Sequence, residues 1–165
     1  MSSLKSLVEL TYLDGGLGPR VSRAAAADPQ NAWLTLFTIS GGPIIVTALI
    51  GVRTVIQAGG ASTIQFRHSV GPTVLDTGIT AITGDTVNTL YYVTGDAGDA
   101  VIAAVGGVPL PTGKVVATAA QYNGIGLILS AGNIQVTMTA AAGTGSTRYV
   151  LSYIPLDPAS AVVAA

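Results

Sequence analysis

Between Trp33 and Ile56 the chain carries two apolar, Thr-rich runs, separated by Gly41-Gly42-Pro43. Trp33, Leu34, Leu36, Phe37 and Ile39 lead in; Ile44, Ile45, Val46, Ala48, Leu49, Ile50 and Val52 lead out. β-Branched and aromatic residues fit a pleated, half-buried surface better than a helix. Gly permits positive φ, and Pro fixes φ and removes a donor, so the tripeptide stops either kind of element. The stretch is expected to form two adjacent core strands, paired as a hairpin across a tight connection. Its one charge, Arg53, is expected at a rim or in an interface.

Similar patterns recur downstream. In Thr63 to His68, Ile64, Phe66 and His68 alternate with Thr63, Gln65 and Arg67, the period of a half-buried strand. Thr89 to Val93 and Ala100 to Val105 are further strand candidates between Gly- and Asp-rich turns. Lys114 to Thr118 is read as extended and Ala119 to Gly124 as a connection. Ile125 to Leu129 and Ile134 to Thr139, flanking Ser130-Ala131-Gly132-Asn133, are expected to form a hairpin. Thr147 to Pro155 is expected as the final strand, with Tyr149, Leu151 and Tyr153 on one face, and Ala159 to Ala165 as a small, apolar tail. No helical pattern of useful length competes. The expected architecture is all-β, a single-domain antiparallel β-sandwich of jelly-roll-like type with an extended N-terminal arm.

Composition bears on what such a sandwich could do. Of 165 residues, 49% are apolar and 9% charged, against about 25% charged in ordinary soluble chains. A formal net charge of −1 leaves little repulsion between copies and favours association. Part of the outside is therefore expected to be covered by other protein. The near-neutral balance argues against direct nucleic-acid binding, which needs clustered Lys and Arg. With no cysteine there is no disulfide framework and no thiol nucleophile. The first residues carry no apolar run of signal-peptide length, so synthesis and folding in the cytoplasm are expected. Gly41-Gly42-Pro43 interrupts the uncharged stretch from Ala32 to Val52, and Gln, Asn and Gly interrupt that from Val115 to Thr147; neither reads as a membrane span.

Residues 1–30 form a distinct segment before a sandwich domain over 31–165. They hold six of the fifteen charged residues, with Leu4, Leu7, Val8, Leu10 and Tyr12 as apolar contacts. The segment reads either as a first strand followed by a long loop or as an arm reaching a neighbouring subunit. The chemistry-bearing residues form no constellation. His68 is the lone histidine; a triad with Ser69 and Asp76 lacks any Gly-x-Ser-x-Gly elbow, so a satisfied strand-face histidine is the plainer reading. Asp85, Asp96 and Asp99 sit beside Gly, as turn residues do, and lack the spacing of an EF-hand. The Gly15-Gly16-Leu17-Gly18 and Gly124-Ile125-Gly126 clusters precede no convincing helix that could hold a phosphate. No catalytic, cofactor or metal site is expected, and the chain is not expected to be an enzyme.

The segment LFTISGGPIIVTALIGVRTVI (Leu36 to Ile56), the Gly-rich Thr/Val/Ala middle and the ending RYVLSYIPLDPASAVVAA (Arg148 to Ala165) resemble small structural proteins of tailed bacteriophages. The likeness is greatest to the head decoration, or cement, proteins. Gly41 to Pro43 and Tyr153 to Asp157 are its most specific parts, and residues 1–30 match nothing. The resemblance implies a β-rich subunit on the outer surface of the virion, binding as a homo-oligomer, a trimer or a dimer, and clamping adjacent major capsid subunits. Extended termini often make such contacts, which makes Leu7, Leu10, Tyr12, Arg20 and Arg23 the candidate contacts to capsid or subunit. Two other readings are another virion structural protein (tail, head fibre or coat subunit) and a carbohydrate-binding β-sandwich module.

Overall fold

The computed structural model describes residues 18–57, 61–71, 73–76, 80–93, 95, 100–104, 127–139 and 145–165. Leu7, Leu10, Tyr12, Asp96, Asp99, the Gly15-Gly16-Leu17 and Gly124 to Gly126 clusters and the segment from Lys114 to Gly124 lie outside the described residues.

Twelve strands are found among the described residues, in two sheets. Sheet I holds β1 (Arg20–Ala27), β11 (Ser146–Pro155), β3 (Ile44–Val55), β7 (Leu90–Tyr92) and β8 (Ile102–Ala104) in that order, with β9 (Leu127–Leu129) also paired to β3. Sheet II holds β12 (Ala161–Ala164), β2 (Leu34–Ser40), β10 (Gly132–Thr139), β4 (Thr63–His68) and β5 (Thr73–Val74), with β6 (Thr80–Ala81) also on β4. Every strand pair is antiparallel. The orders β1-β11-β3-β7 and β2-β10-β4-β5 interleave the two halves of the chain as an eight-stranded jelly roll does. The chain is an all-β sandwich.

Two connections differ from the sequence expectation. β2 and β3 do not pair: β2 lies in sheet II between β12 and β10, and β3 in sheet I beside β11. Gly41-Gly42-Pro43 is thus an arch that carries the chain from one sheet to the other. β9 and β10 behave likewise, because β9 pairs with β3 and β10 with β2 and β4. The two arches stack, with Ile39 opposite Gly132 and Ile44 opposite Leu129. In both cases strands buried on their inner face had two ways to bury it, against a neighbour in one sheet or across the sandwich. Turn residues alone do not distinguish these. Gly41 has φ 75° and its backbone lies against Ala159, where a side chain has no room. The tail is not loose either: Ala161–Ala164 forms β12, edge-paired with β2, and Ser160 Oγ donates to the Pro43 carbonyl at 2.9 Å.

Between the sheets lies one core, including Phe37, Ile39, Ile64, Phe66, Ile134, Val136 and Met138 from sheet II and Ile44, Leu49, Tyr91, Tyr149 and Leu151 from sheet I. Phe66 and Tyr149 meet across it edge to face, with ring centroids 6.1 Å apart. Leu36 and Phe37 are adjacent and both buried because β2 carries an extra residue between its pairings at Thr35 and Phe37. Gly51 on the inner face of β3 leaves space for the rings of Tyr149 and Tyr91, each of which would lie 3.2 Å from an added Cβ.

Candidate interaction surface

The outer faces of the two sheets follow from register, since residues directly opposite in an antiparallel pair share a face. On sheet II, the outer rows are Thr38 with Asn133, Thr35 with Gln135 and Arg67, Thr137 with Gln65, and Thr139 with Thr63. These side chains bond one another: Thr38 Oγ1 donates to Asn133 Oδ1 at 3.0 Å and Arg67 Nε to Gln135 Oε1 at 2.8 Å. Arg67 also lies over the Trp33 ring, 4.0 Å from its centroid. The same rows end in Val163, beside Thr38, and Val74, beside Arg67, both exposed at the sheet edges; the centre of the face is polar and bonded within itself.

Sheet I presents a different chemistry. One row crosses it as Ser22, Val150, Ile50, Tyr92 and Ile102. A second runs Arg148, Val52, Leu90 and Ala104, and a third Ile154, Ile45 and Ile128. Ile45, Ile50, Val52, Leu90, Tyr92, Ile102, Val150 and Ile154 are each partly exposed, and Ile128 is 69% exposed. Five strands at about 4.8 Å spacing, and the run from Ile45 to Val52 at about 3.4 Å per residue, give a face of roughly 20 by 24 Å. That plan is in the range of the largest apolar patch on an ordinary monomer, and such patches are often functional. The charged residues on these rows are Arg148 and, beside Ser152 and Ala48, Arg20; no carboxylate shares the face among the described residues.

Where the acids went explains this imbalance. Of the four described carboxylates, Asp28, Asp76 and Asp85 are buried and only Asp157 is exposed. Asp28 pairs with Arg53, and here the expectation of a rim or interface arginine fails: Arg53 is fully buried on the inner face of sheet I. The physical cause is an extra residue, Thr47, in β3 between its pairings with Tyr153 and Ser152. Before it Ile44 and Val46 point inward; after it Leu49, Gly51 and Arg53 do. Adjacent apolar pairs, Ile45-Val46 and Leu49-Ile50, hide that change of phase from a sequence reading.

The guanidinium gathers several segments. Its Nη1 donates to Asp28 and, at 3.2 Å, to Thr147 Oγ1; Nη2 donates to Gln57 Oε1 at 3.3 Å and Nε to Tyr91 Oη at 3.2 Å. Tyr91 in turn donates to Asp85 Oδ2 at 2.9 Å, and Thr147 to Asp28 Oδ1 at 2.9 Å. Burial opposes the charge on Arg53, but Asp28 and Tyr91 outweigh it and its pKa stands above the ordinary value. Burial raises the Tyr91 phenol well above its usual range. All of these groups are engaged with one another inside the sandwich, which marks a structural tie rather than a site open to a ligand.

Other residues singled out from sequence are placed as follows. Arg20 and Arg23 lie on β1, built into sheet I by pairing with Ser152 and Tyr149; Arg23 Nε donates to the Ala165 carbonyl at 3.0 Å. His68 is buried, facing the core from β4, with its pKa lowered by burial against a backbone hydrogen bond at Ser130. Its Nε2 has no partner, Ser69 Oγ accepts from the Asn133 amide at 2.8 Å, and Asp76 Oδ2 accepts from the Phe66 amide at 2.8 Å. The three are neighbours in chain and fold but are not joined as a relay. Burial lifts the pKa of Asp76 to about 6. The described residues include no group of three or more His, Cys, Asp or Glu placed to hold a metal, and no helix among them is long and apolar enough to cross a membrane.

Comparison of the chain with known families, with curated proteins and with solved structures finds no match.

Proposed function

We propose that the chain is a structural protein of a phage virion, a decoration protein that binds the outer surface of the capsid and holds adjacent major capsid subunits together. The observation that carries this reading is the contrast between the centres of the two outer faces: Thr, Gln, Asn and Arg at the centre of sheet II, with Val74 and Val163 only at its edges, and partly exposed Ile, Val, Leu and Tyr across sheet I. Double-sheet jelly rolls are a fold that viral capsid domains use, although fold alone does not decide function. The texture of the Leu36 to Ile56 and Arg148 to Ala165 segments supports the same class. A subunit that binds only the assembled lattice stabilises that lattice by mass action. No chemical step is assigned to the chain. A carbohydrate-binding module gains little support, because Trp33 on sheet II is capped by Arg67 rather than open for stacking on a sugar.

The test is a cryo-EM map of the virion that carries this chain, with capsids assembled without it as the reference. Extra density of sandwich shape on the outside of the head, absent from the reference, is the expected result. Density confined to the tail or to a head fibre would move the protein to another virion role. A particle lacking the chain would remove the reading altogether.

A further inference from the structure

Resting on the decoration reading, we infer that the outer face of sheet I is the docking face, and that its partner is a flat capsid-protein surface, apolar at the centre, with carboxylates opposite Arg20 and Arg148. The footprint fits such a contact. At roughly 20 by 24 Å in plan, it supplies the greater part of the ~800 Å² that each partner of a standard-size interface buries. Ile50 and Val52 are central in it, flanked by Val150 and Arg148 on one side and by Tyr92 and Leu90 on the other. Such centrally placed residues, shielded by neighbours, are where interface energy concentrates.

Charge separates the possible occupants. The face carries two arginines on the β1–β11 side and no described carboxylate. A second copy laid on it brings the same two arginines and, from the described strand rows of the face, no acid to meet them. With the two-fold axis across the strands arginine opposes arginine, and with the axis along them arginine lies over Ile102 and Ala104. Of the described carboxylates Asp28, Asp76 and Asp85 are buried, and Asp157 lies off the strand rows of the face, in the turn between β11 and β12. Like charges facing each other in a contact select against that partner, whereas opposed charges steer association and fix register. A different protein bearing Asp or Glu at matching positions satisfies both arginines. Contacts between copies of this chain then belong elsewhere on the molecule.

The assay is co-sedimentation of the full-length chain with purified capsids assembled without it, at low and at moderate salt, together with light scattering of the free protein. Ile50→Asp is expected to weaken capsid binding by at least about tenfold, without changing the molar mass of the free protein. The double variant R20E/R148E tests the charge assignment at exposed positions, where substitution does not threaten the fold. It is expected to weaken binding several-fold and to reduce its salt dependence. A control on sheet II, Gln65→Asp, is expected to bind as the parent does. If the parent binds and both variants bind equally well, the face is wrong while the decoration reading stands. If R20E/R148E alone is silent, the carboxylate assignment is overturned. A drop in molar mass with Ile50→Asp would make the face a contact between copies and overturn the inference. Failure of the parent itself to bind would sink the decoration reading and this inference with it.

Discussion

Sheet II obeys the ordinary alternation, apolar toward the core and polar toward water, from Thr63 to His68 on β4 and from Gly132 to Thr139 on β10. Sheet I departs from it, with apolar residues on both faces: Leu49, Tyr91, Tyr149 and Leu151 inside, and a second apolar set outside. Past the extra residue Thr47, its central strand β3 sends Arg53 inward and Ile50 and Val52 outward. Thr147 on β11 joins Arg53 inside, while Val150 and Ile154 stand outside. Both sheets line the same core, so the difference does not arise from what the fold requires. It teaches that the two outer faces are built from different chemistry, and that three of the four described acids are held inside.

The largest expected effect comes from breaking the inward polar cluster. Arg53→Met strands Asp28 as a buried, unpaired carboxylate and is expected to cost about 3–5 kcal/mol, read from the urea midpoint at pH 7. Pairing it with Asp28→Leu should restore most of the loss, since a buried ion pair and an apolar substitute of similar volume are often close in stability. A single variant as stable as the parent would mean that the cluster does not organise this end of the sandwich.

Next in size is Asp76, the carboxylate that sheet II buries. Its folded pKa of about 6 lies above the ordinary 3.8, so the folded state holds the proton more tightly than the unfolded one. Its contribution is fully present below about pH 4 and declines as pH rises through 6. Asp76→Asn keeps an acceptor for the Phe66 amide and removes that decline, for a gain at pH 7 of roughly 1–3 kcal/mol. His68, whose pKa is lowered by burial, acts in the opposite sense, so the difference between parent and variant across pH 4–7 isolates Asp76. A constant difference would contradict the assignment.

Gly51→Ala should cost on the order of 1–3 kcal/mol by crowding Tyr149 and Tyr91 on the inner face of sheet I. An unchanged thermal midpoint would mean the rings have room to move. The smallest expected effects are the outward swaps: Ile50→Thr on sheet I and Thr137→Ile on sheet II, each within about 0.5 kcal/mol of the parent. Their retention on a hydrophobic-interaction column should nevertheless shift in opposite directions. A loss of more than about 2 kcal/mol for Ile50→Thr, the scale of a core truncation, would show that another part of the chain covers that face.

Much of the fold was legible because strand-forming texture and turn residues are local signals. The faces of β4 and β11 followed from simple alternation, and both held: Ile64, Phe66 and His68 are buried together, as are Tyr149, Leu151 and Tyr153. What escaped was non-local. Nothing in Gly41-Gly42-Pro43 or Ser130 to Asn133 says whether the chain turns back beside itself or crosses to the facing sheet. The inward turn of Arg53 depends on one unpaired residue, Thr47, six positions upstream. The apolar outer face was implicit in runs such as Ile44 to Val52, where both alternating sets are hydrophobic. Without sheet order, those runs could not be told from strands buried on both sides.

The arches also bear on when this chain can fold. Among the described strands β1 pairs only with β11, and the central strand of sheet I is paired along its length with that same late segment. β2 likewise waits for β10 and β12. The pairings of β3 with β7, of β7 with β8 and of β4 with β5 and β6 are available early, but neither sheet gains its full order until β10 and β11 have been made. Proteins dominated by such distant pairings fold slowly, typically in milliseconds to seconds. During that interval the strands that later form the apolar face of sheet I are exposed while still unpaired, and copies made close together on one message face a choice between completing their own sandwich and pairing with a neighbour's.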